Sequence, residues 1–426
     1  MGYKVTKLED ICDFEKGTTG LAKATPGEYP LVTTGANRKT CENFQFDKSA
    51  VCIPLVSSTG HGHASLNYVH YQKGKFALGT ILVALTSKDD SILDIQFLHL
   101  YLFQLKNQIL VPLMTGAANV SLSIKKIKKI EIPLPSIERQ KEIVKNFNLI
   151  EMEDEELRKE LIHQETILKK LRQQILLEAI EGKLTKNWRD DNPNIEPANK
   201  LLKRIKVEKE QLIKDKKIKK QIPLPPISEE EKPFEIPETW EWCRLGDIVD
   251  LIMGQSPSGD TYNKVRKGLP FFQGKKEFGE VYPIGNSTWC SAPKRVSQIN
   301  DILISVRAPV GDVNIADKVY AIGRGLSIIR SFAQQYLNFW FLFYLLRAEQ
   351  NNWKKKGSFF DAINRNVIEN KLIALPSTNE QKAIVTNIEK LFAICDELEK
   401  EISENKIYSE QLMQTVLREA FEGEDK

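Results

Sequence analysis

Two textures alternate along the chain. Short β-branched runs bounded by Gly, Asp or Pro, such as Ala50-Val-Cys-Ile-Pro-Leu-Val56, Thr80-Ile-Leu-Val-Ala-Leu85 and Asp301-Ile-Leu-Ile-Ser-Val306, predict strands. Helices are expected after them, at about 91–108 and 332–350, both dense in large apolar residues. The stripe Phe339-Trp340-Phe341-Phe343-Tyr344 reads as core, not as a platform for stacking bases. The pattern then changes. Phe147, Ile150, Asp154, Leu157, Leu161, Gln164, Leu168, Leu171 and Ile175 follow one another by alternating steps of three and four, the seam of a coiled coil. A second seam runs through Ile388, Leu391, Cys395, Leu398, Ile402, Asn405, Ser409, Leu412 and Val416. Gln164 and Asn405 hold the same seam position, where a polar residue fixes register. Ser136 and Ser377 stand where an N-cap side chain bonds the first free amides, and Gly182 and Gly423 where helix-ending glycines belong. A helix of about 45 residues spans about 67 Å.

These two helices are copies. Leu134-Pro135-Ser136-Ile137-Glu138-Arg139-Gln140 returns as Leu375-Pro376-Ser377-Thr378-Asn379-Glu380-Gln381, at an offset of 241 that also relates Leu171 to Leu412 and Gly182 to Gly423. Upstream, Gly116 matches Gly357, and Leu8-Glu-Asp10-Ile11 with Gly17 returns as Leu245-Gly-Asp247-Ile248 with Gly254. One unit, a mixed body followed by a long helix, is written twice. The boundaries fall at 1–135 and 236–376 for the bodies and at 136–183 and 377–426 for the helices. Segment 184–235 lies between, with a basic helix expected over Lys200–Lys220, then Pro223-Leu-Pro225-Pro226 and the acidic run Glu229-Glu230-Glu231; it reads as a spacer.

Charge sharpens this picture only locally. The net charge is +4, but 199–221 holds ten Lys and Arg against three acids, and 374–426 holds six against twelve. Two mildly basic bodies and an acidic tail suit a protein that touches phosphates with part of its surface; a solvated mixed surface would look similar. The six cysteines form no CxxC pair and read as free thiols, and His61-Gly-His63 has no cysteine partners at zinc spacing. No apolar run reaches membrane-spanning length and no signal peptide is seen, so a cytoplasmic protein without a membrane partner is expected. Catalytic signatures are missing. Asp191-Asn-Pro193-Asn194 lacks the second Pro and the aromatic of an amino-methyltransferase loop, and Gly254–Gly259 is followed by Asp260 where a phosphate-binding loop needs Lys. Glu369-Asn-Lys371 copies part of a nuclease site without an upstream acid.

The body that opens Trp240-Glu-Trp242-Cys-Arg-Leu245-Gly246-Asp247-Ile248 and closes in a Leu-Pro…Glu-Gln…Ile-Val helix resembles the specificity subunits of Type I restriction–modification systems. Gly182-Lys-Leu-Thr185, Trp188-Arg189, Pro233-Phe234, Ser305-Val-Arg307-Ala308-Pro309-Val310-Gly311-Asp312 and Ile322-Gly-Arg324-Gly325-Leu326 carry the same likeness. The first body departs from it, lacking the Trp pair and the Arg-Ala-Pro phrase and offering Ser57-Ser58-Thr59-Gly60-His61-Gly62-His63 instead, which implies a reader of another class. The resemblance implies an α+β fold: two α/β target-recognition domains separated by two long helices in an antiparallel coiled coil, a pseudo-twofold internal repeat. It implies a non-catalytic subunit that reads the two halves of an asymmetric bipartite site in double-stranded DNA and docks two methylation subunits, with restriction subunits joining. S-adenosylmethionine, ATP and magnesium would then be bound by the partners, with no cofactor in this chain. Two other readings are a coiled-coil scaffold whose bodies bind protein and a decayed nuclease–methyltransferase fusion.

Candidate DNA contacts are side chains in loops rich in Gly and Pro. Arg307 and Arg324 have the length and fork to grip guanine O6 and N7; an ion pair inside the domain is the alternative. Lys275 and Lys276, and Lys354, Lys355 and Lys356 with Ser358, read as phosphate contacts or as solvated charge. Ser57, Ser58, Thr59, His61 and Lys88 are the counterparts in the first body, with Asn119 beyond Gly116. The Lys125-Lys126-x-Lys128-Lys129 run is either phosphate-facing or solvated.

Overall fold

The computed structural model describes residues 3–59, 62–285, 287–353 and 362–422. The chain divides into two compact units, 1–163 with 402–426 and 164–401, so each long helix contributes to both.

In the first unit the central strand Ala50–Pro54 is buried on both faces, and its two-residue period explains how. Val51 and Ile53 pack with Val83, Leu85, Phe97 and Leu98 in the main core. Ala50 and Cys52 point the other way, into a second cluster with Ala84, Phe46, Phe76 and Leu78. The strand sits in a four-stranded antiparallel sheet ordered Cys12–Lys16, Leu82–Ser87, Ala50–Pro54, His70–Gln72. A smaller sheet holds Lys39–Cys41, Tyr29–Val32, Lys75–Leu78 and Phe46–Asp47, with Tyr29–Val32 and Lys75–Leu78 running parallel. The helix Ile95–Gln104 begins where the apolar pattern predicts, because the Asp94 carboxylate accepts from the amides of Gln96 and Phe97 at 2.7 and 3.2 Å.

The second unit has a four-stranded antiparallel sheet ordered Val249–Met253, Leu326–Ser331, Ile302–Ser305, Val313–Ile315, the same chain order of strands as in the first. The helix Phe339–Ala348 is capped by the Asn338 side chain, and Phe341, Phe343 and Tyr344 are buried, so this aromatic stripe is core. In each unit a two-stranded ribbon ties the start of a body to its exit: Lys4–Lys7 with Glu131–Leu134, and Glu241–Arg244 with Leu372–Leu375.

The long helices run Ile137–Ile180 and Thr378–Glu422. Ser136 Oγ accepts from the amide of Arg139 and Ser377 Oγ from that of Glu380, as expected of N-caps. Gly182 ends the first helix at φ 76°, a left-handed conformation that favours glycine; Gly423 and Gly357 lie outside the described residues. Phe147, Leu161, Leu168, Ile175, Ile388, Cys395, Ile402 and Ser409 are buried, every one a predicted seam position. In the first unit Ser409 Oγ bonds the Asp154 carboxylate. In the second, the Arg172 guanidinium pairs with Asp396 and, at 3.1 Å, with Glu399, and lies over the Phe392 ring. Four expected seam positions are corrected: Leu157, Leu171, Leu398 and Leu412 are 41–59% exposed. The positions buried deepest recur every seven residues, and these leucines belong to the alternate row, in which Ile150 and Leu391 are half-buried and the four leucines are exposed.

The segment between the repeats is also corrected. Its helix is Ala198–Lys214 and stops short of Lys220, because Lys216 turns left-handed (φ 58°) and the amides of Lys216 and Lys217 bond back to Ile213 and Leu212. It is not a free spacer. Ala198, Leu201 and Ile205 bury a narrow apolar face, and the Lys209 ammonium donates to the Gly246 carbonyl at 2.8 Å while lying over Phe332.

Candidate nucleic-acid interface

In the second unit the loops after Val249–Met253 and Ile302–Ser305 and the loop before Leu326–Ser331 share one end of the four-stranded sheet, and they interlock through backbone with the loop after Leu269–Phe272, a strand of a second sheet. The Gly254 amide donates to Leu326 O, Gln255 N to Ile322 O, Gly323 N to Phe272 O and Val306 N to Gly325 O, all between 2.7 and 3.1 Å. Packing this close requires glycine. A Cβ on Gly325 would lie 2.0 Å from the Gln273 carbonyl oxygen, and one on Gly254 would lie 2.1 Å from that of Gly323. The loops therefore gather Arg307, Arg324, Gln255 and Gln273, all exposed. Neither arginine has a hydrogen bond or ion pair from its side chain to a described residue, so the ion-pair alternative finds no partner there.

Lys276 is exposed beside them, but the expectation for Lys275 is corrected: its ammonium pairs with Asp312 at 2.7 Å, and Gln350 holds the other oxygen of that carboxylate at 2.6 Å. Lys354, Lys355, Lys356 and Ser358 lie outside the described residues. Glu369 pairs with Arg365 and Lys371 with Glu349, so the nuclease-like triplet is engaged in structural ion pairs.

The first unit uses the same close glycine contact. A Cβ on Gly17 would lie 2.1 Å from the Gly79 carbonyl oxygen. Beside it, Ser57 donates its amide to Val120 O, and Gly116 (φ 134°) lets the turn carrying Asn119 fold back next to this loop. Here the expected readers turn out to be loop builders. Ser57 Oγ donates to His63 O at 2.5 Å, Ser58 Oγ accepts from the Asn67 amide at 2.9 Å, and Thr59 Oγ1 meets Ser65 Oγ at 2.8 Å. Asn119 is exposed, and His61 lies outside the described residues. Lys88 is misplaced by the sequence reading. It follows the far end of Leu82–Ser87, opposite these loops, and donates to the Glu9 carbonyl at 2.7 Å. In the lysine run, Lys126 bonds Leu113 O and Lys128 lies over Phe14.

Arg38 is half-buried against the edge strand His70–Gln72, toward the sheet end away from the Ser57 loop. Its guanidinium donates to Gln72 Oε1 at 2.9 Å and Tyr71 O at 3.2 Å and meets His70 Nδ1 at 3.2 Å, with no carboxylate among its partners. Burial, then the Arg38 charge, pushes His70 down to about 4, so its ring is neutral at neutral pH. The thiols of Cys12 and Cys52 are pushed up to about 12 by burial, and all six cysteines are free and buried. Among the described residues no cluster of His, Cys, Asp or Glu could hold a metal, and no helix is long and apolar enough to cross a membrane.

A glutamine fixes each body to the start of a long helix. Gln140, fully buried, accepts from the Asp94 amide at 2.8 Å and donates to Ile92 O and Pro135 O at 2.8 and 2.9 Å. Gln381, also fully buried, accepts from the Asn338 amide at 2.8 Å and donates to Pro376 O at 3.1 Å. Both latches reach the N-cap residue of the body's own helix. Glu380 beside the second latch is buried and takes Thr185 Oγ1 at 2.8 Å and Arg189 at 2.5 Å, which docks the Gly182–Arg189 phrase on the second long helix.

A mixed α/β body latched to a long helix, with polar loops raised at one sheet end, is the build of a recognition module carried on a spacer. Residues 1–164 and 237–406 match the family described as Type I restriction modification DNA specificity domain, and the chain belongs to that family. It is 40% identical over 186 residues to a Methanocaldococcus jannaschii protein named, provisionally, as the MjaX type I restriction enzyme specificity subunit; the match covers 43% of this chain and 44% of that protein. With the Escherichia coli type I restriction enzyme EcoEI specificity subunit it shares 33% identity over 264 residues, 59% of this chain and 43% of the relative. The matches thus span less than half the length of these two relatives. The fold is that of the HsdS subunit from Thermoanaerobacter tengcongensis, with a TM-score of 0.61, 23% identity and coverage of 99% of this chain and 97% of that one. A chain solved in work on the assembly and conformational transition of the type I R-M system gives 0.72, at 23% identity, over 99% and 98%.

Proposed function

We propose that this chain is the DNA-sequence-specificity subunit of a Type I restriction–modification complex, each body reading one half of an asymmetric bipartite site in double-stranded DNA. One observation carries the reading. Arg307 and Arg324, exposed and without a side-chain ion pair among the described residues, stand on loops whose backbone is locked by Gly254, Gly323 and Gly325. Such a guanidinium can approach guanine O6 and N7 without first breaking a bond inside the protein. The dissimilar loops of the first body, built by Ser57, Ser58 and Thr59, fit a different half-word.

The two long helices act in this reading as an antiparallel coiled coil in a pseudo-twofold repeat. The matched sequence register and the seam residues buried in each unit support this. Leu157, Leu171, Leu398 and Leu412 leave an apolar row open on the helices, which suits docking of two methylation subunits, with restriction subunits joining the assembly. Catalysis, S-adenosylmethionine, ATP and magnesium belong to those partners, and the complex works in the cytoplasm.

The test is a shift assay on mixed duplex DNA with the methylation subunit, followed by mapping methylated adenines in a genome with and without this gene. A bipartite methylated word that disappears with the gene is expected; an unchanged methylation map with no duplex binding would overturn the reading.

A further inference from the structure

A cleft of about 700 Å³ opens in the second unit between the linker and the body. Residues 217–225 form one wall, Asp250–Met253 the floor, and Arg295 with the helix Arg365–Glu369 the other side. The linker wall is held in place although most of its side chains are exposed. The buried Arg244 guanidinium donates to the carbonyls of Pro225, Pro226 and Asn370 at 2.8–3.2 Å and grips Glu231 at 3.0 Å. The left-handed Lys216 then fixes the direction in which the basic run leaves its helix.

The rim of this cleft is cationic. Lys219, Lys220 and Arg295 are exposed and have no ion pair among the described residues, and Lys217 is 3.4 Å from Asp215. The facing acids are few: Glu369 is engaged by Arg365 at 2.8 Å, and Asp250 is half-buried on the floor. The rim is also continuous with the reading loops. Met253 on the floor leads straight to Gly254 and Gln255, and Ile322 joins Arg295 O to Gln255 N at 2.9 and 3.1 Å, two residues before Arg324.

We propose that Lys217, Lys219 and Lys220 of the linker, with Arg295, form a phosphate rail that carries the duplex backbone past the second body's reading loops. The rail rests on the reading of that body as a DNA reader and gives the linker a role beyond joining the repeats. Lysines on an anchored segment without regular secondary structure match a polyanion with spaced charges, and they add affinity without adding sequence information.

The test uses the full chain on a fluorescent mixed-sequence duplex, with affinity followed across a salt series. Each phosphate contact contributes about 0.9 to the slope of log K against log salt, so K219Q/R295Q with K220Q should lower it by about two to three. The methylated word of the assembled complex should not change. A gain-of-contact variant guards against a folding artefact: Ile222→Lys, at a cleft residue 88% exposed, should raise the slope by about one. A wild-type chain that binds with a salt slope matched by both variants would overturn the rail and leave the reader intact. A triple variant that keeps the slope and loses the methylation subunit would make this rim a protein-binding surface, overturning the rail. A wild-type chain that binds no duplex, alone or with that subunit, would overturn the reader itself.

Discussion

Replacing Gln140 by Leu keeps the side chain's volume and removes every bond it makes. Three backbone groups lose their partner: the Asp94 amide and the carbonyls of Ile92 and Pro135. An unsatisfied buried polar group costs about 1–3 kcal/mol, and carbonyls at the edge of a body recover part of this from water. The expected loss is therefore about 3–5 kcal/mol in the first unit, a large share of the roughly 5–15 kcal/mol that holds a domain. Gln381→Leu orphans two groups, the Asn338 amide and the Pro376 carbonyl, and should cost about 2–4 kcal/mol in the second unit. Hydrogen exchange resolves the two units separately. Q140L should lower protection at Gln96 and Phe97, whose amides are held by Asp94, and leave Trp340 and Phe341 untouched; Q381L should do the reverse. In the methylation map each variant should blur one half-word. Stability within about 0.5 kcal/mol of wild type, the scatter of ordinary surface changes, would refute the latch.

Arg189→Met leaves the buried Glu380 carboxylate without its cation and should cost about 3–5 kcal/mol in the second unit, read as a fall in its denaturation midpoint. Gly325→Ala drives a methyl onto the Gln273 carbonyl and should cost about 1–3 kcal/mol while abolishing recognition of the second half-word only, checked by methylome sequencing. His70 has a folded pKa of about 4, below its unfolded value of 6.5, so the unfolded chain binds the extra proton and stability falls as pH drops through that window. Discounted for screening by water, the loss is on the order of 2 kcal/mol. His70→Gln should flatten the pH dependence of first-unit unfolding by that amount, and an identical pH profile would contradict it.

The helices were legible because their periodicity is long enough to average out exceptions. The seven-residue row Phe147, Leu161, Leu168 and Ile175, the serine caps and the turn at Gly182 stand as read, whereas Leu157 and Leu171 of the same seam do not. Which seam row is the more exposed was not legible, since Leu157 and Leu161 are identical in chemistry and differ only in what lies across from them. The linker shows a signal that was present and outweighed: Ala198, Leu201 and Ile205 follow helical spacing, but ten basic residues around them read as solvated. Candidate contacts fared worst, for a physical reason. A lysine's role depends on whether a carboxylate sits within reach, and Asp312, which claims Lys275, lies 37 positions further along the chain.

Hydrogen-bonding capacity separates the side chains that build these loops from those that can read a base. Ser57 and Thr59 use their hydroxyls inside their own loop, so a base could take the Ser57 proton only by opening it, at about 0.5–1.5 kcal/mol per bond, whereas Ser58 Oγ accepts from Asn67 and keeps its own proton to donate. Arg307, Arg324, Gln255 and Gln273 have backbones fixed by neighbouring loops and exposed side chains, so recognition needs no such opening. The geometry that permits this belongs to the glycines beneath them, which no candidate list drawn from charge would contain. Half-word specificity in the second body should therefore change with the four long polar side chains and vanish with Gly254 or Gly325. In the first body, exposed Asn119 and the Ser58 hydroxyl, which still has its proton to donate, are the expected readers.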